Sequence, residues 1–223
     1  MEYIKKHRKI IVAAIAIVIF ILVARRVLTE EITFYDKVAH DIVINNLRCE
    51  PLTIIMKFFT FLCSVECLLT ICVLTFLFGK DKKKSSLISI NLIINFLLNT
   101  GVKYIFQRPR PSITEFLITE HGYSFPSGHS MVAMAFYGYI VYMIYKHEKP
   151  STKKYLKIIG LLFVIFMIGL SRIYLGVHYA SDVLAGFMLS ISYLMLFIIF
   201  SPKILDLLNI RSKKNERKKK KTN

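Results

Sequence analysis

Long apolar stretches joined by short polar connections dominate the chain. We predict six membrane-spanning helices from these stretches, at about residues 9–28, 52–78, 86–106, 128–146, 155–173 and 180–201. Each stretch is close to the roughly 20 residues that an α-helix needs to cross about 30 Å of hydrocarbon. The pattern therefore predicts an all-α fold, a six-helix transmembrane bundle over residues 1–202, followed by a basic tail over residues 203–223.

The first apolar stretch has the basic flank and the apolar core that are typical of a secretory signal. The flank consists of Lys5, Lys6, His7, Arg8 and Lys9. Because a clear cleavage site with small residues is missing, we favour an uncleaved membrane anchor, with cleavage as the alternative.

Lysine and arginine are distributed unevenly among the polar connections. They concentrate in the amino terminus, in the second-to-third and fourth-to-fifth connections, and in the tail. With six spans these four segments lie on one side of the membrane, and cytoplasmic segments carry the excess of basic residues. Arg25 and Arg26 oppose this rule locally, but four basic residues face them across the first span. We therefore expect both termini to be cytoplasmic, with a tail that either contacts anionic lipid headgroups or is a solvated, disordered end.

Composition narrows the classes of function. The chain is 55% hydrophobic, carries a formal net charge of +17 and has no tryptophan. The lysines cluster at the ends of apolar runs and not on a soluble basic face, so we expect membrane topology, and not a nucleic-acid partner, to explain the charge. The four cysteines form no Cys-x-x-Cys pair, which argues against a zinc site and a disulfide framework.

The connection between the first two predicted spans has helical apolar spacing over residues 34–47. Asp36, Lys37 and Asp41 occupy the remaining, polar positions. This pattern is typical of a helix that lies in the membrane interface. It predicts an interfacial helix on the outer side, either a lid over a lipid site or a plain surface connector.

Three polar segments carry the candidate chemistry: Lys103 to Pro111, Pro126 to His129, and Ser171 to Asp182. In the six-span layout each segment lies where a predicted span meets the outer side. The spans were assigned from hydropathy alone, yet all the candidate functional groups reach the same membrane face. This agreement predicts one site at the outer interface.

The cations and the start of the fourth span indicate phosphate binding. Lys103, Arg110 and Arg172 supply positive charge, and the planar arginine fork matches pairs of phosphate oxygens. Ser127 is a good N-cap, so the amides of the following helix would point at an anion, and Gly128 lets the backbone approach it closely. Taken singly, Lys103 and Arg110 are equally typical of ordinary interfacial residues.

Two histidines and one carboxylate complete the inventory. His129 would lie in the first turn of the fourth span, where an imidazole can protonate a leaving alkoxide. His178 and Asp182 are four residues apart, so that on a helical turn the carboxylate can accept a proton from one ring nitrogen and leave the other free to attack. Taken alone, each feature has a plainer interpretation: His129 as an ordinary interfacial histidine, and His178 with Asp182 as a structural His–Asp contact. The combination of the three segments favours an enzyme.

The combination resembles the type 2 phosphatidic acid phosphatase family, whose pattern is Lys-x6-Arg-Pro, Pro-Ser-Gly-His and Ser-Arg-x5-His-x3-Asp. The sequence matches this pattern without departure from Lys103 to Asp182. Flanking residues, from Phe106 to Pro111 and from Gly122 to His129, look most like the bacterial phosphatidylglycerophosphatase B branch.

The resemblance implies a phosphohistidine intermediate on His178, with His129 as the acid and Asp182 as its orienting partner. It also implies that Lys103, Arg110, Ser127, Gly128 and Arg172 surround the phosphate. The expected protein is a multi-pass enzyme of the bacterial cytoplasmic membrane that removes a terminal phosphate from a lipid. Phosphatidylglycerol phosphate and undecaprenyl diphosphate are the favoured substrates, ahead of phosphatidic acid and diacylglycerol pyrophosphate.

Three other functions remain open at this point. A lipid phosphotransferase would pass the same intermediate to an acceptor other than water. A lipid binder or transporter could reuse the scaffold without catalysis, although such proteins are expected to lose His129 or His178. A haloperoxidase shares the anion pocket, but six spans disfavour it. The sequence indicates no oligomeric state.

No metal or cofactor is expected, because a magnesium site requires converging carboxylates and the motifs contain only Asp182. Elsewhere, Asn91, Asn95 and Asn99 recur with Lys103 at every fourth position of the third span and should share a face. Glu66 lies in the second span. Because an intramembrane carboxylate usually faces a partner inside the bundle, we predict that Glu66 meets this asparagine stripe.

Overall fold

The computed structural model describes residues 2–30, 32–79, 81–112 and 116–222, with side chains described outside 2–6 and 208–222. These residues form eight α-helices and one π-helical turn, and no strand occurs among them, so the all-α prediction is confirmed. The side chains of most of the basic tail lie outside the described residues. The elements are α1 (Glu2–Thr29), α2 (Phe34–His40), the π-helical turn (Asp41–Asn46), α3 (Glu50–Phe61), α4 (Val65–Phe78), α5 (Lys82–Phe106), α6 (Gly128–His147), α7 (Thr152–Tyr174) and α8 (Ala180–Thr222).

Four helical stretches in the described part of the chain are individually long and apolar enough to cross a membrane: His7–Thr29, Lys82–Phe106, Thr152–Tyr174 and Ala180–Leu207. Helices α3 and α4 would add a fifth if they act as one span, although they are bent by 47°. The 20-residue α6 is not among these stretches because it mixes tyrosines with its apolar residues. The structure thus supports four or five spans, and the count of six and the cytoplasmic side of the termini stay predictions.

The break between α3 and α4 overturns the prediction for Glu66. Ser64 caps α4 by accepting a hydrogen bond from the amide of Cys67 at 3.2 Å, which places Glu66 in the first turn of the new helix. A carboxylate is favoured there by the positive end of the helix dipole. Glu66 is exposed, whereas the asparagine stripe is buried, so the two do not meet.

The asparagine stripe is buried and links α5 to two other helices. Asn91 donates to the carbonyl oxygen of Ala135 in α6 at 2.7 Å, and Asn95 donates to the hydroxyl of Ser190 in α8 at 3.1 Å. Asn99 donates to the carbonyl oxygen of Pro126, just before the start of α6. Side-chain hydrogen bonds of this kind hold helices together where water is absent. The shared face that the spacing predicted is therefore confirmed, and its role is interhelical.

Helix α8 lies at the centre of the bundle, with α1 packed along it and α6 packed against both α7 and α8. The start of α8 approaches the start of α6 so closely that a Cβ atom at Gly186 would lie 2.8 Å from the carbonyl oxygen of Ser127. Glycine is required at this position because a larger residue would push the two helix ends apart. This contact places the second and third sequence motifs next to each other.

The interfacial segment is helical as predicted, with α2 continuing into the π-helical turn that ends at Asn46. A capping box starts α2, in which the Asp36 amide donates to Thr33 Oγ1 and the Thr33 amide donates to Asp36 Oδ2. The prediction that Asp36 lies on the polar face is wrong. Its side chain is fully buried because it binds a buried arginine and the start of α8.

Candidate functional site

The structure places the predicted site residues where the helices α5 to α8 begin or end. The residues are Lys103 in the last turn of α5, Arg110 in the following loop, Ser127 at the N-cap of α6, Gly128 and His129 in its first turn, Arg172 in the last turn of α7, His178 in the next turn, and Asp182 in the first turn of α8. Because these ends meet, residues far apart in sequence form one cluster.

His178 and Asp182 form the predicted contact, with Nδ1 of the ring 3.4 Å from Oδ2 of the carboxylate. The local structure differs from a helical turn, because α8 starts at Ala180 and His178 precedes it. Asp182 caps the new helix by accepting a hydrogen bond from the amide of Tyr179 at 2.9 Å. The cap therefore fixes the carboxylate next to the histidine.

Arg110 defines the proton positions on the His178 ring. Its Nη1 lies 3.2 Å from Nε2 of His178. A guanidinium group has only donors, so Nε2 must be the acceptor and its lone pair points at Arg110. The ring proton is then on Nδ1, on the side of Asp182. The geometry leaves Nε2 as the nucleophilic nitrogen, facing a cationic group.

Burial lowers the pKa of His178 well below its ordinary value, and the positive charges of Arg110, Arg172 and Lys103 lower this pKa further. The side chain is 2% exposed. Both effects disfavour the imidazolium form. His178 is therefore neutral at neutral pH, which is the state in which it can attack.

Glu120 lies between two of the predicted phosphate-binding cations. Its carboxylate forms an ion pair with Arg110 Nη2 at 3.3 Å and a second, shorter one with Arg172. Arg172 is 1% exposed and also donates to the hydroxyl of Thr60. A single carboxylate thus occupies the space between two arginines whose forks suit an anion.

Lys103 and the α6 N-terminus are anchored by nearby backbone. Lys103 Nζ donates to the carbonyl oxygens of Tyr123 and Ser124, just before the Pro-Ser-Gly-His segment. Ser127 is the N-cap of α6, as predicted, and accepts a hydrogen bond from the amide of Ser130 at 3.4 Å. A Cβ at Gly128 would lie 3.1 Å from Asn99 Oδ1, so a larger residue would be tight here unless the Asn99 side chain shifted.

His129 lies in the first turn of α6 and is half-buried. The positive charges of Arg172, Arg110 and Lys103 all act on its ring. Its own carbonyl oxygen accepts a weak hydrogen bond from Cys63 Sγ at 3.7 Å, which ties this turn to the helix break between α3 and α4. The same three cations therefore lie near both histidines.

Besides Glu120, sequence reasoning missed four polar residues around Asp182. Ser124 donates to Asp182 Oδ2 and lies 3.4 Å from His178 Nδ1. Arg108 and Asp36 contact Asp182 and each other through buried ion pairs, and Ser181 joins them. Arg108 stands in the Arg-Pro-Arg-Pro run and Ser124 stands two residues before Pro126, but neither belongs to the motif pattern.

The arrangement is chemically suited to an anion. Over the described residues, no group of three or more His, Cys, Asp or Glu side chains could hold a metal ion. Cations, helix-terminal amides and a neutral nucleophilic imidazole converge instead. Such a set can bind a phosphoryl group and stabilise the charge that spreads over its oxygens during transfer.

The chain matches the PAP2 superfamily over residues 85–206. Among curated proteins, phosphatidylglycerophosphatase B of Bacillus subtilis (strain 168) is 40% identical over 112 residues, which are 48% of this chain and 53% of that protein. Undecaprenyl-diphosphatase of Sulfolobus acidocaldarius is 26% identical over 121 residues, 52% of this chain and 54% of that protein. The chain thus spans about half the length of the curated relatives it matches.

Solved structures extend the likeness beyond the motifs. The transmembrane PAP2-type phosphatidylglycerolphosphate phosphatase of Bacillus subtilis superposes with a TM-score of 0.76 at 30% identity, covering 86% of this chain and 96% of that chain. LpxE of Aquifex aeolicus superposes with a TM-score of 0.56 at 30% identity, covering 73% and 92%. Together with the motif geometry, these matches confirm the family resemblance and the phosphatidylglycerophosphatase B branch: the chain belongs to the PAP2 superfamily.

Proposed function

We propose that the protein is an integral membrane phosphatase of the bacterial cytoplasmic membrane that hydrolyses the terminal phosphate of a lipid. The observation that carries the proposal is the alignment of Arg110, His178 and Asp182, in which a neutral imidazole directs Nε2 at an arginine suited to phosphate. Phosphatidylglycerol phosphate and undecaprenyl diphosphate are the favoured substrates, since relatives carry these names.

The proposed reaction has two steps. In the first, the lone pair of His178 Nε2 attacks phosphorus, the bond from phosphorus to the leaving oxygen breaks, and His129 gives that oxygen a proton. In the second, His129 takes a proton from water as the water oxygen attacks phosphorus, the P–N bond breaks, and inorganic phosphate leaves. Covalent catalysis of this kind divides one difficult displacement into two easier ones.

The remaining site residues have supporting roles in this scheme. Lys103, Arg110 and Arg172 stabilise the charge on the phosphoryl oxygens, and the capped start of α6 at Ser127 and Gly128 presents backbone amides. Asp182 accepts a hydrogen bond from Nδ1–H without taking the proton, and it stabilises the positive charge that develops on the His178 ring. The lipid tail would enter sideways between helices, because the cluster lies at helix ends.

Phosphate release from a panel of purified lipids in detergent tests the function. The panel contains phosphatidylglycerol phosphate, undecaprenyl diphosphate, phosphatidic acid and diacylglycerol pyrophosphate. We expect free phosphate from at least one lipid without an added acceptor. Phosphate transfer only to an added acceptor lipid would identify a phosphotransferase, and lipid binding without turnover would identify a non-catalytic binder; either result would overturn the proposal.

Activity is expected to persist in excess chelator. Asp182 already binds Arg108, Ser124 and the Tyr179 amide, and Glu120 binds two arginines, so neither is free to coordinate magnesium. The measurement is phosphate release after incubation with EDTA, compared with an untreated sample. Complete loss that magnesium restores would contradict the metal-free scheme.

Replacing Glu120 with glutamine is expected to strengthen inhibition by vanadate several-fold. The neutral amide competes less well than the carboxylate for Arg110 and Arg172, so an added anion gains both arginines more easily. The inhibition constant of vanadate is measured for both proteins, with the exposed Glu50→Gln as the matched control. Weaker inhibition of a folded Glu120→Gln protein would show that Glu120 supports, and does not oppose, anion binding.

A further inference from the structure

Arg108 bridges two buried carboxylates from distant parts of the chain. Its Nη1 lies 2.6 Å from Asp182 Oδ1, and its Nη2 lies 2.9 Å from Asp36 Oδ2. The Arg108 side chain is 4% exposed and both carboxylates are fully buried. Charges this deeply buried require close partners.

Asp36 and Arg108 also bind the backbone and the side chains at the start of α8. Asp36 Oδ1 accepts the amide of Ser181 at 2.8 Å, and Asp36 Oδ2 accepts the Ser181 hydroxyl at 2.9 Å. Arg108 Nη1 donates to that hydroxyl at 2.7 Å, and the guanidinium stacks on the ring of Tyr179 with 4.1 Å to the ring centroid. Tyr179 and Ser181, which lie between His178 and Asp182 in the sequence, are therefore fixed by contacts with Arg108 and Asp36.

The two oxygens of Asp182 have separate partners. Oδ1 binds Arg108, whereas Oδ2 faces His178 Nδ1 and accepts from Ser124 and from the Tyr179 amide. With Oδ1 bound, the carboxylate cannot rotate without losing a buried, charge-assisted hydrogen bond. Arg108 thus keeps Oδ2 directed at the attacking imidazole.

Asp36 connects this arrangement to the interfacial helix. Its carboxylate also accepts the Thr33 amide at 3.1 Å in the capping box that starts α2. The fold of α2 and the orientation of Asp182 therefore depend on one side chain. Helix α2 is anchored to the site at its first turn, which favours a structural clamp over a freely opening lid.

We propose that Asp36 and Arg108 are positioning residues: they fix Asp182, and through it the His178 ring, so that the interfacial helix sets the geometry of the attacking nitrogen. The proposal rests on the proposed function. In the proposed reaction, neither Asp36 nor Arg108 contacts the phosphate. Small displacements of a reacting group reduce rates by about 10²-fold, so the effect belongs to the chemical step.

The experiment compares Arg108→Gln, Arg108→Lys and Asp36→Asn in the full-length protein with a lipid that the wild type hydrolyses. We expect kcat to fall by about 10²-fold for Arg108→Gln with little change in KM. The fall should be smaller for Asp36→Asn, and lysine should restore part of the lost kcat. Asp41→Asn, an exposed change in the same interfacial segment, is the matched control and should leave kcat unchanged.

A double variant separates positioning from a general structural effect. If Asp36 acts through Arg108, adding Asp36→Asn to Arg108→Gln lowers kcat no further, because the shared contact is already lost. Independent, multiplying losses would overturn the link. Quenched-flow measurement of the phosphoenzyme should show slower formation in Arg108→Gln, and unchanged formation would also overturn the proposal.

Ser181→Ala covers the case in which the arginine variants do not fold. It removes only the hydroxyl that Asp36 and Arg108 share, and we expect a several-fold lower kcat in a protein that is less stable to heat but still folds, because both Arg108 ion pairs remain. An unchanged kcat in this folded variant would overturn the proposal. The wild type distinguishes failure of the proposed function from failure of this proposal. If the proposed function is wrong, the wild type itself releases no phosphate from any lipid.

Discussion

Replacing His178 with alanine is expected to reduce kcat for phosphate release by at least about 10⁴-fold, because the variant has lost the nucleophile. The structure supports this role in two ways. Nε2 is the unprotonated ring nitrogen, since it faces the donor-only guanidinium of Arg110. Burial and three nearby cations lower the pKa of His178, so the ring is ready to attack at neutral pH.

The measurement is phosphate release with the most active lipid of the panel, together with trapping of labelled phosphoenzyme by an alkaline denaturing quench. The wild type should accumulate label that is stable in alkali and labile in acid, and His178→Ala should accumulate none. His147→Ala, at the exposed far end of α6, controls for the loss of any histidine. Substantial turnover by a folded His178→Ala protein would contradict the covalent route.

Replacing His129 with alanine is expected to lower kcat by about 10²- to 10⁴-fold for a lipid monoester, the range typical of general acid catalysis. An alkoxide is a poor leaving group and needs a proton as the P–O bond breaks. A phosphate or a nitrophenolate leaves without help. The loss should therefore be much smaller for undecaprenyl diphosphate or p-nitrophenyl phosphate.

The comparison of leaving groups makes this prediction specific. A variant that merely distorts the site should lose the same factor with every substrate. His129→Ala should instead lose less as the leaving group improves, and the second step should become rate-limiting for good leaving groups. An equal loss across all substrates would show that His129 has no role as the proton donor.

The sequence predicted several local contacts of the candidate site, because these contacts depend on spacings of a few residues. Ser127 could be assigned as an N-cap because helix starts have a known residue preference. The contact between His178 and Asp182 followed from a spacing of four residues, although the structure forms it at a helix cap and not within a helical turn. The asparagine stripe followed from the same periodicity.

Local reasoning failed where a helix changed direction. Glu66 was expected to face α5, but a new helix begins at Val65 after the bend between α3 and α4, and the Glu66 side chain is exposed. Hydropathy is similar on both sides of the break, so the apolar pattern does not reveal it. The prediction for Asp36 failed for a different reason. Its partners, Arg108 and Ser181, lie 72 and 145 residues away in the sequence, beyond the reach of local patterns.

The amino-acid sequence by itself determined the helical class of the protein, its apolar stretches, and the set of cations, imidazoles and carboxylate at their ends. Those features depend on composition and on spacings of a few residues. Only the tertiary structure decided what Arg108 does: it binds Asp182 and Asp36, whereas Arg110, which the motif spacing had already assigned to the site, faces His178. The two arginines have the same side chain and the same proline neighbour, so their partners depend on how α2, α6 and α8 pack together.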